Sequence, residues 1–194
     1  MKLLLTGFEP FGGQAVNPSW EAVRHVNTPG VTLMKAQLPV VWGMDGMLCD
    51  LLVSERPDAV LLCGQAGGAQ TLLCERVGLN LCQGQDNIGE TRNGAIIEDG
   101  PAAYFSTLPM QAICEGIRAA GIPAQVSLSA GAYLCNYALY NTLHLAATRC
   151  LDMRAGFLHV PFIPAQVLGK AAPSMSIQEI AHGMEAAVET MMRI

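Results

Sequence analysis

Cys135 stands in Ser129-Ala130-Gly131-Ala132-Tyr133-Leu134-Cys135-Asn136-Tyr137, where an apolar strand gives way to a helix-forming pattern. A thiol at the start of a helix feels the positive end of the helix dipole, which favours its thiolate form. A thiolate is a strong nucleophile near neutral pH, so this placement raises covalent catalysis. Free cysteine is also among the most buried residue types, and the local sequence leaves a small core hydrophobe as the other reading.

Two further residues fall at strand or loop ends. Glu75 lies in Leu72-Leu73-Cys74-Glu75-Arg76-Val77-Gly78-Leu79, and His159 in Gly156-Phe157-Leu158-His159-Val160-Pro161-Phe162. A cysteine peptidase or amidase needs a thiolate, a histidine that protonates the leaving amine, and a group that orients the histidine. Glu75 can be that third group. Each residue has a plainer reading too. His159 sits in an apolar strand, where a histidine is usually a satisfied core residue. Alternation puts Glu75 on one inward face with Val77 and Leu79, where it would need a partner such as a distant arginine.

Two glycine-rich turns follow strand patterns: Gly7-Phe8-Glu9-Pro10-Phe11-Gly12-Gly13 and Gly64-Gln65-Ala66-Gly67-Gly68. Neither continues into the Gly-Lys-Ser/Thr of a phosphate-binding loop, and neither fits Gly-x-Gly-x-x-Gly. Glycines at strand C-termini let backbone N–H groups approach a ligand at the usual binding edge of an α/β sheet. The four histidines show no metal-ligand spacing, so no zinc site is assigned.

The elements that must position these residues alternate between short apolar runs and helical patterns, which predicts an α/β chain. Strands are expected over 2–6, 31–38, 59–63, 72–81, 124–128 and 156–160. Helices are expected over about 19–26, 44–54, 110–120 and from Cys135 to about Arg149. Asn17-Pro18 supplies an N-cap with proline at the first helical position. Ser176-Ile177-Gln178-Glu179 is a capping box that opens the last helix. The stretch 83–101 is polar and glycine-rich without hydrophobic period, so it reads as a functional or mobile loop.

The chain has 194 residues, half of them hydrophobic and 14% charged, which suits one domain spanning 1–194 with a sizeable core. A net charge of -5 with scattered Lys and Arg excludes a nucleic-acid footprint. Residues 119–148 carry no Asp, Glu, Lys or Arg, but Pro123, Gly131, Asn136 and Asn141 break the run, so it reads as core, not membrane span. Met1 to Gly7 is too short for a signal peptide and predicts the first strand. The cysteine count is seven, at 49, 63, 74, 82, 114, 135 and 150, with no Cys-x-x-Cys. Reduced thiols in a cytoplasm are the simplest account.

Thr6-Gly7-Phe8-Glu9-Pro10-Phe11-Gly12-Gly13 with Asn17-Pro18-Ser19-Trp20-Glu21-Ala22-Val23 closely resembles the opening of the pyroglutamyl peptidase I family, also called pyrrolidone carboxyl peptidases. Gly64-Gln65-Ala66-Gly67-Gly68 with Glu75-Arg76-Val77 resembles a second family block, Ser129 through Asn136 its nucleophile block, and Gly156 through Pro164 its histidine block. The blocks recur in family order over nearly the whole chain. The resemblance implies a three-layer α/β/α fold with a mixed, mostly parallel central sheet. It implies removal of N-terminal pyroglutamate from peptides, with Cys135 as nucleophile, His159 as acid and base, and Glu75 as the orienting carboxylate. It places Phe8 and Phe11 against the lactam ring, Gln65 on it through backbone hydrogen bonds, and Tyr133 and Leu134 in the substrate pocket. Tyr133 stands where the family usually has phenylalanine. No cofactor is required, and a homo-oligomer, tetramer or dimer, is implied.

One stretch departs from the family. Where the family usually reads Ala-Arg-Ile-Pro-Asp-Asn, the corresponding stretch here is Leu81-Cys82-Gln83-Gly84-Gln85-Asp86-Asn87. The missing arginine lies near the family's oxyanion site, where one lost donor can cost roughly 10²–10³ in rate. Gln85 is the candidate neutral replacement, with backbone N–H groups as the alternative. The altered loop keeps two other readings open: a non-catalytic protein that binds lactam-capped peptides, and an amidase for another small cyclic amide.

Overall fold

The computed structural model describes residues 1–149 and 151–193, so Cys150 lies outside the described residues. The elements run β1 (Lys2–Phe8), α1 (Pro18–His25), β2 (Thr32–Leu38), α2 (Asp45–Glu55), β3 (Ala59–Gln65), β4 (Leu72–Glu75), β5 (Val77–Leu79), β6 (Cys82–Gln85), β7 (Thr91–Gly94), β8 (Ala103–Phe105), α3 (Met110–Ala119), β9 (Ala124–Ser127), α4 (Leu134–Thr148), β10 (Arg154–Val160) and α5 (Ile177–Met192). Six strands form the central sheet in the order β2-β1-β3-β10-β4-β9. Every neighbouring pair is parallel except β10 with β4. The expected mixed, mostly parallel sheet is therefore present.

The two faces of that sheet follow from period-2 alternation. Leu3 and Leu5 point toward α1, α3 and α5, joining Val23, Ile113, Ile117, Ile180 and Met184 in one core. Leu4, Val60 and Leu62 point the other way, onto Leu48 and Leu52 of α2 and Ala138 and Leu139 of α4. The result is three layers, helices over both faces. β3 is apolar without interruption and buried almost throughout, as a central parallel strand must be. The charge-free run holds β9 and α4, residues 136–143 of α4 are all buried, and no helix among the described residues is long and apolar enough to cross a membrane.

Local signals place the helix ends. The Asn17 side chain accepts the Ser19 N–H at 3.1 Å and Pro18 follows it into α1. In α5, Ser176 Oγ accepts the Glu179 N–H at 3.2 Å while the Glu179 carboxylate accepts the Ser176 N–H at 2.9 Å. α3 stops before Gly121, which takes a positive φ of 82° that an L side chain rarely adopts.

Two expectations are corrected. Residues 72–81 do not make one strand. The chain breaks at Arg76, whose N–H donates to Ser127 O and whose carbonyl accepts from the Ser106 N–H. β4 stays in the central sheet, whereas β5 leaves it to pair with β8. Glu75 is buried, as expected, but it shares no sheet with Val77 and Leu79. Residues 83–101 are not a structureless loop: β6 and β7 form an antiparallel hairpin from Cys82↔Gly94 to Gln85↔Thr91. Its residues bury no continuous face, which is why no hydrophobic period announces it.

Candidate active site

The parallel strands β3 and β10 end together, with His159 beside Gly64 and Val160 beside Gln65. β4 runs the other way, so Leu73 lies opposite His159 and Glu75 opposite Phe157. Glu75 and His159 therefore sit on a diagonal of neighbouring strands, on one face, within reach of long side chains. Glu75 Oε1 lies 2.8 Å from His159 Nδ1. Both groups are buried, Glu75 completely and His159 to 6% exposure. The carboxylate fixes Nδ1 as the protonated nitrogen and leaves Nε2 for chemistry. Phe157, fully buried, packs its ring 4.7 Å from the imidazole and restricts it from the side.

Cys135 is the second residue of α4 and only partly buried. No side chain caps this helix N-terminus. The first N–H groups of a helix have no partner within it, so those of Leu134, Cys135 and Asn136 are open donors beside the thiol. Burial on its own would push the His159 imidazole down. Electrostatic interaction and hydrogen bonding with Cys135, and the bond and charge of Glu75, outweigh that and raise it to about 9. Cys63, fully buried with no charged group beside it, has its thiol pushed well above the ordinary cysteine range.

These three side chains open into a cavity of about 420 Å³. Phe8, Phe11, Gln65, Leu73, Tyr133 and Leu134 line it, with residues 129–132 at its edge. The Phe8–Phe11 loop is pinned to the start of α1: the Phe8 N–H donates to Ser19 Oγ at 3.0 Å, and Asn17 Nδ2 donates to Glu9 O at 3.0 Å. The Tyr133 ring stands edge-on to Trp42, 5.6 Å between centroids, and 6.4 Å from Phe11. Its hydroxyl donates to Gln85 O at 2.8 Å. Gly84 gives this ring its room: a Cβ there would lie 2.9 Å from Tyr133 Cδ2, and its φ of 127° is itself a glycine conformation.

The structure thus brings together Glu75, Cys135, His159, Phe8, Phe11, Gln65, Tyr133 and Leu134. It does not bring in the Gln85 side chain, whose amide donates to Gly89 O within the hairpin and is absent from the cavity wall. Only the Gln85 backbone carbonyl serves the site, by holding Tyr133. Asn136 had no role assigned from sequence. Asn136 is fully buried, accepts the Leu79 N–H and donates to Leu79 O and Leu81 O, each at 2.8 Å, and so ties the residue after the thiol to β5. An asparagine inside an uncharged helical run was the available signal, since a buried amide must find partners. No group of three or more potential metal ligands occurs among the described residues.

A thiol at a helix start, beside an imidazole held by a buried carboxylate at the binding edge of an α/β sheet, makes the protein a cysteine hydrolase in class. Comparison with known proteins sharpens this. The family model described as pyroglutamyl peptidase matches residues 1–194. The pyrrolidone-carboxylate peptidase of Thermococcus onnurineus is 46% identical over 199 residues, covering 100% of both chains. That of Levilactobacillus brevis is 42% identical, covering 98% of this chain and 97% of its own. Among solved structures, pyroglutamyl peptidase I of Bacillus amyloliquefaciens superposes with a TM-score of 0.95 at 38% identity, covering 100% of this chain and 97% of its own. A variant pyrrolidone carboxyl peptidase from Pyrococcus furiosus gives 0.95 at 36%, covering 100% and 99%. The chain belongs to the pyroglutamyl peptidase family.

Proposed function

We propose that this chain hydrolyses the bond following an N-terminal pyroglutamyl residue of a peptide, through a Cys135–His159–Glu75 triad and a thioester intermediate. The observation that carries the reading is the Glu75–His159 bond at 2.8 Å with Cys135 beside the same imidazole, all opening into one apolar cavity. The Cys135 thiolate attacks the pyroglutamyl carbonyl carbon, and the open N–H groups at the start of α4 hold the oxyanion. His159, with its pKa raised to about 9, is protonated at neutral pH and has the proton that the leaving amine needs. The C–N bond breaks and the thioester remains. Neutral His159 then takes a proton from water, which attacks the thioester and frees pyroglutamate. Gln85 has no part in this scheme, and the α4 N–H groups stand in for the family's arginine.

Specificity follows from desolvation. Among the described residues lining the cavity Glu75 is the one carboxylate, and His159 already engages it. A free ammonium terminus would lose its water without gaining a partner, whereas an uncharged lactam loses far less. The thiolate chemistry favours a reducing, cytoplasmic setting. Exposed Phe105 and Leu128 offer apolar surface for a homo-oligomer, dimer or tetramer. The test of function is release of a fluorogenic amine from its pyroglutamyl amide by wild type, C135A and C135S. Turnover by wild type that is lost in both variants is the expected result. Turnover that persists in C135A, or a folded and reduced wild type that binds the amide without cleaving it, overturns the proposal.

A further inference from the structure

Three residues that line the cavity, Phe11, Val40 and Tyr133, are tied to one short stretch of the β6–β7 hairpin. Tyr133 donates its hydroxyl to Gln85 O at 2.8 Å. Asn87 donates its backbone N–H to Val40 O at 3.0 Å, and the Val40 N–H goes to Glu9 Oε1 at 2.8 Å. The Asn87 side chain reaches further: Nδ2 lies 2.9 Å from Pro10 O and 3.4 Å from Glu9 Oε1. A carbonyl oxygen only accepts, so the NH₂ end of the Asn87 amide is the end that faces Pro10. Asp86, 7% exposed, fixes the turn that carries Asn87: its carboxylate accepts the N–H groups of Trp42, Ile88 and Glu90 at 2.8, 3.0 and 2.8 Å.

Phe11 depends on that outside support. β1 ends at Phe8, and Glu9 is still tied back, through its N–H to Leu38 O and through Asn17 Nδ2 to its carbonyl. Beyond Glu9 the loop has few holds of its own. Phe11 O accepts the Gln14 N–H within the same turn, exposed Gly12 and Gly13 follow it, and Gln14 Oε1 has one long contact, 3.4 Å from Gln166 Nε2. The Pro10 carbonyl and the Phe11 nitrogen share one planar peptide, so a bond to that oxygen fixes the plane from which Phe11 hangs. The hairpin thus grips both Phe11 and Tyr133, whose ring centroids stand 6.4 Å apart.

We infer that Asn87 is a positioning residue: it holds the Phe11 wall in place, and the hairpin thereby sets the ring size that the acyl pocket accepts. The inference rests on the pyroglutamyl reading above, in which the ring is a five-membered lactam. A larger ring overpacks against a wall that cannot retreat, whereas a wall on a free loop moves aside. Asn87 itself is exposed and absent from the cavity wall, so it acts through the loop.

The test compares the pyroglutamyl amide with its six-membered lactam homologue on the same fluorogenic amine. Wild type should prefer the five-membered ring by roughly tenfold or more in kcat/KM, the scale of one methylene in a closed pocket. A wild type without that preference overturns the inference. Asn87→Ala removes the donor, and Asn87→Asp, equal in size, sets a carboxylate against Pro10 O and Glu9. Both keep the backbone N–H to Val40 O, so one reads the preference should the other fail to fold. Each should raise KM for the five-membered ring about fivefold with kcat within about twofold, and bring the preference to within about threefold of unity. A purely structural role would lower kcat for both rings together and leave the preference intact, and that result overturns the inference. Combination with Phe11→Ala checks the route: once Phe11 is truncated, Asn87→Ala should change the preference no further, and a full independent effect there overturns the inference too. Should wild type bind both rings without cleaving either, the peptidase reading falls, and the protection each ring gives Cys135 against iodoacetamide reads the same preference. There too, a preference that Asn87→Asp leaves intact overturns the inference.

Discussion

Gly64→Ala isolates the dependence of chemistry on one missing methyl group. Gly64 takes no unusual φ, so alanine there strains no backbone. Its Cβ would lie 2.6 Å from Cys135 Sγ and 2.8 Å from Phe157 Cζ. Comfortable contact between heavy atoms begins near ~3.5 Å, so the sulfur contact is short by about 0.9 Å. β3 is held by β1 on one side and β10 on the other, and Phe157 is fully buried. The partly exposed thiol is what can yield, by rotating away from His159. A displacement on the order of 1 Å costs roughly 10²-fold in kcat/KM. The overpacking itself costs about 1–3 kcal/mol of stability. Turnover of the fluorogenic amide, the rate of Cys135 alkylation by iodoacetamide and a thermal melt separate the two effects. A folded variant within about threefold of wild type in kcat/KM, with unchanged alkylation, would refute the claim that the thiol sits where the Gly64 hydrogen leaves space.

Three further outcomes are expected. The acid form of His159 is the leaving-group donor, so kcat/KM should hold through neutral pH and fall as pH rises through about 9; in Cys135→Ser the negative partner is lost, and an NMR titration should find the imidazole lower. A His159 that titrates unchanged in the serine variant would contradict the pairing. Tyr133→Phe removes the hydroxyl bond to Gln85 O and should cost about 1 kcal/mol, a melting shift of about 2–4 °C, with a raised KM and little change in kcat. Asn136→Ala strands the Leu79 N–H and the Leu81 carbonyl, while Leu79 O keeps the Leu81 N–H, and should cost about 2–4 kcal/mol by urea unfolding, whereas a loss under ~0.5 kcal/mol would mean water replaces the amide.

Much of the central sheet was legible because its strands are continuous apolar runs and its helices carry their own caps. The α4 start could be placed from the switch between strand and helix patterns, so Cys135 could be placed too. Glu75 was legible as an inward carboxylate and as a candidate to orient His159, but the antiparallel entry of β4 that brings the two side chains together leaves no local mark. The break at Arg76 depends on bonds to Ser127 and Ser106, both distant in sequence. The β6–β7 hairpin hides in a polar stretch with no buried face. The hold of Asn87 on the Phe11 loop was invisible for a related reason: its partner Pro10 lies 77 residues upstream.

The position of β10 has a consequence for the order of synthesis. β2, β1 and β3 form one half of the sheet and β4 with β9 the other, and β10 is the single strand between them. Until residues 154–160 leave the ribosome, the halves share no edge, and the thiol and carboxylate are made without the histidine that joins them. His159 and Glu75 are 84 residues apart, so their pairing must close a long loop, which is slow. A nascent or truncated chain ending before Arg154 would leave the β3 and β4 edges that β10 covers unpaired, and Glu75 without its imidazole. The pairing of His159 with Glu75 and the closure of the sheet are therefore one late event in synthesis.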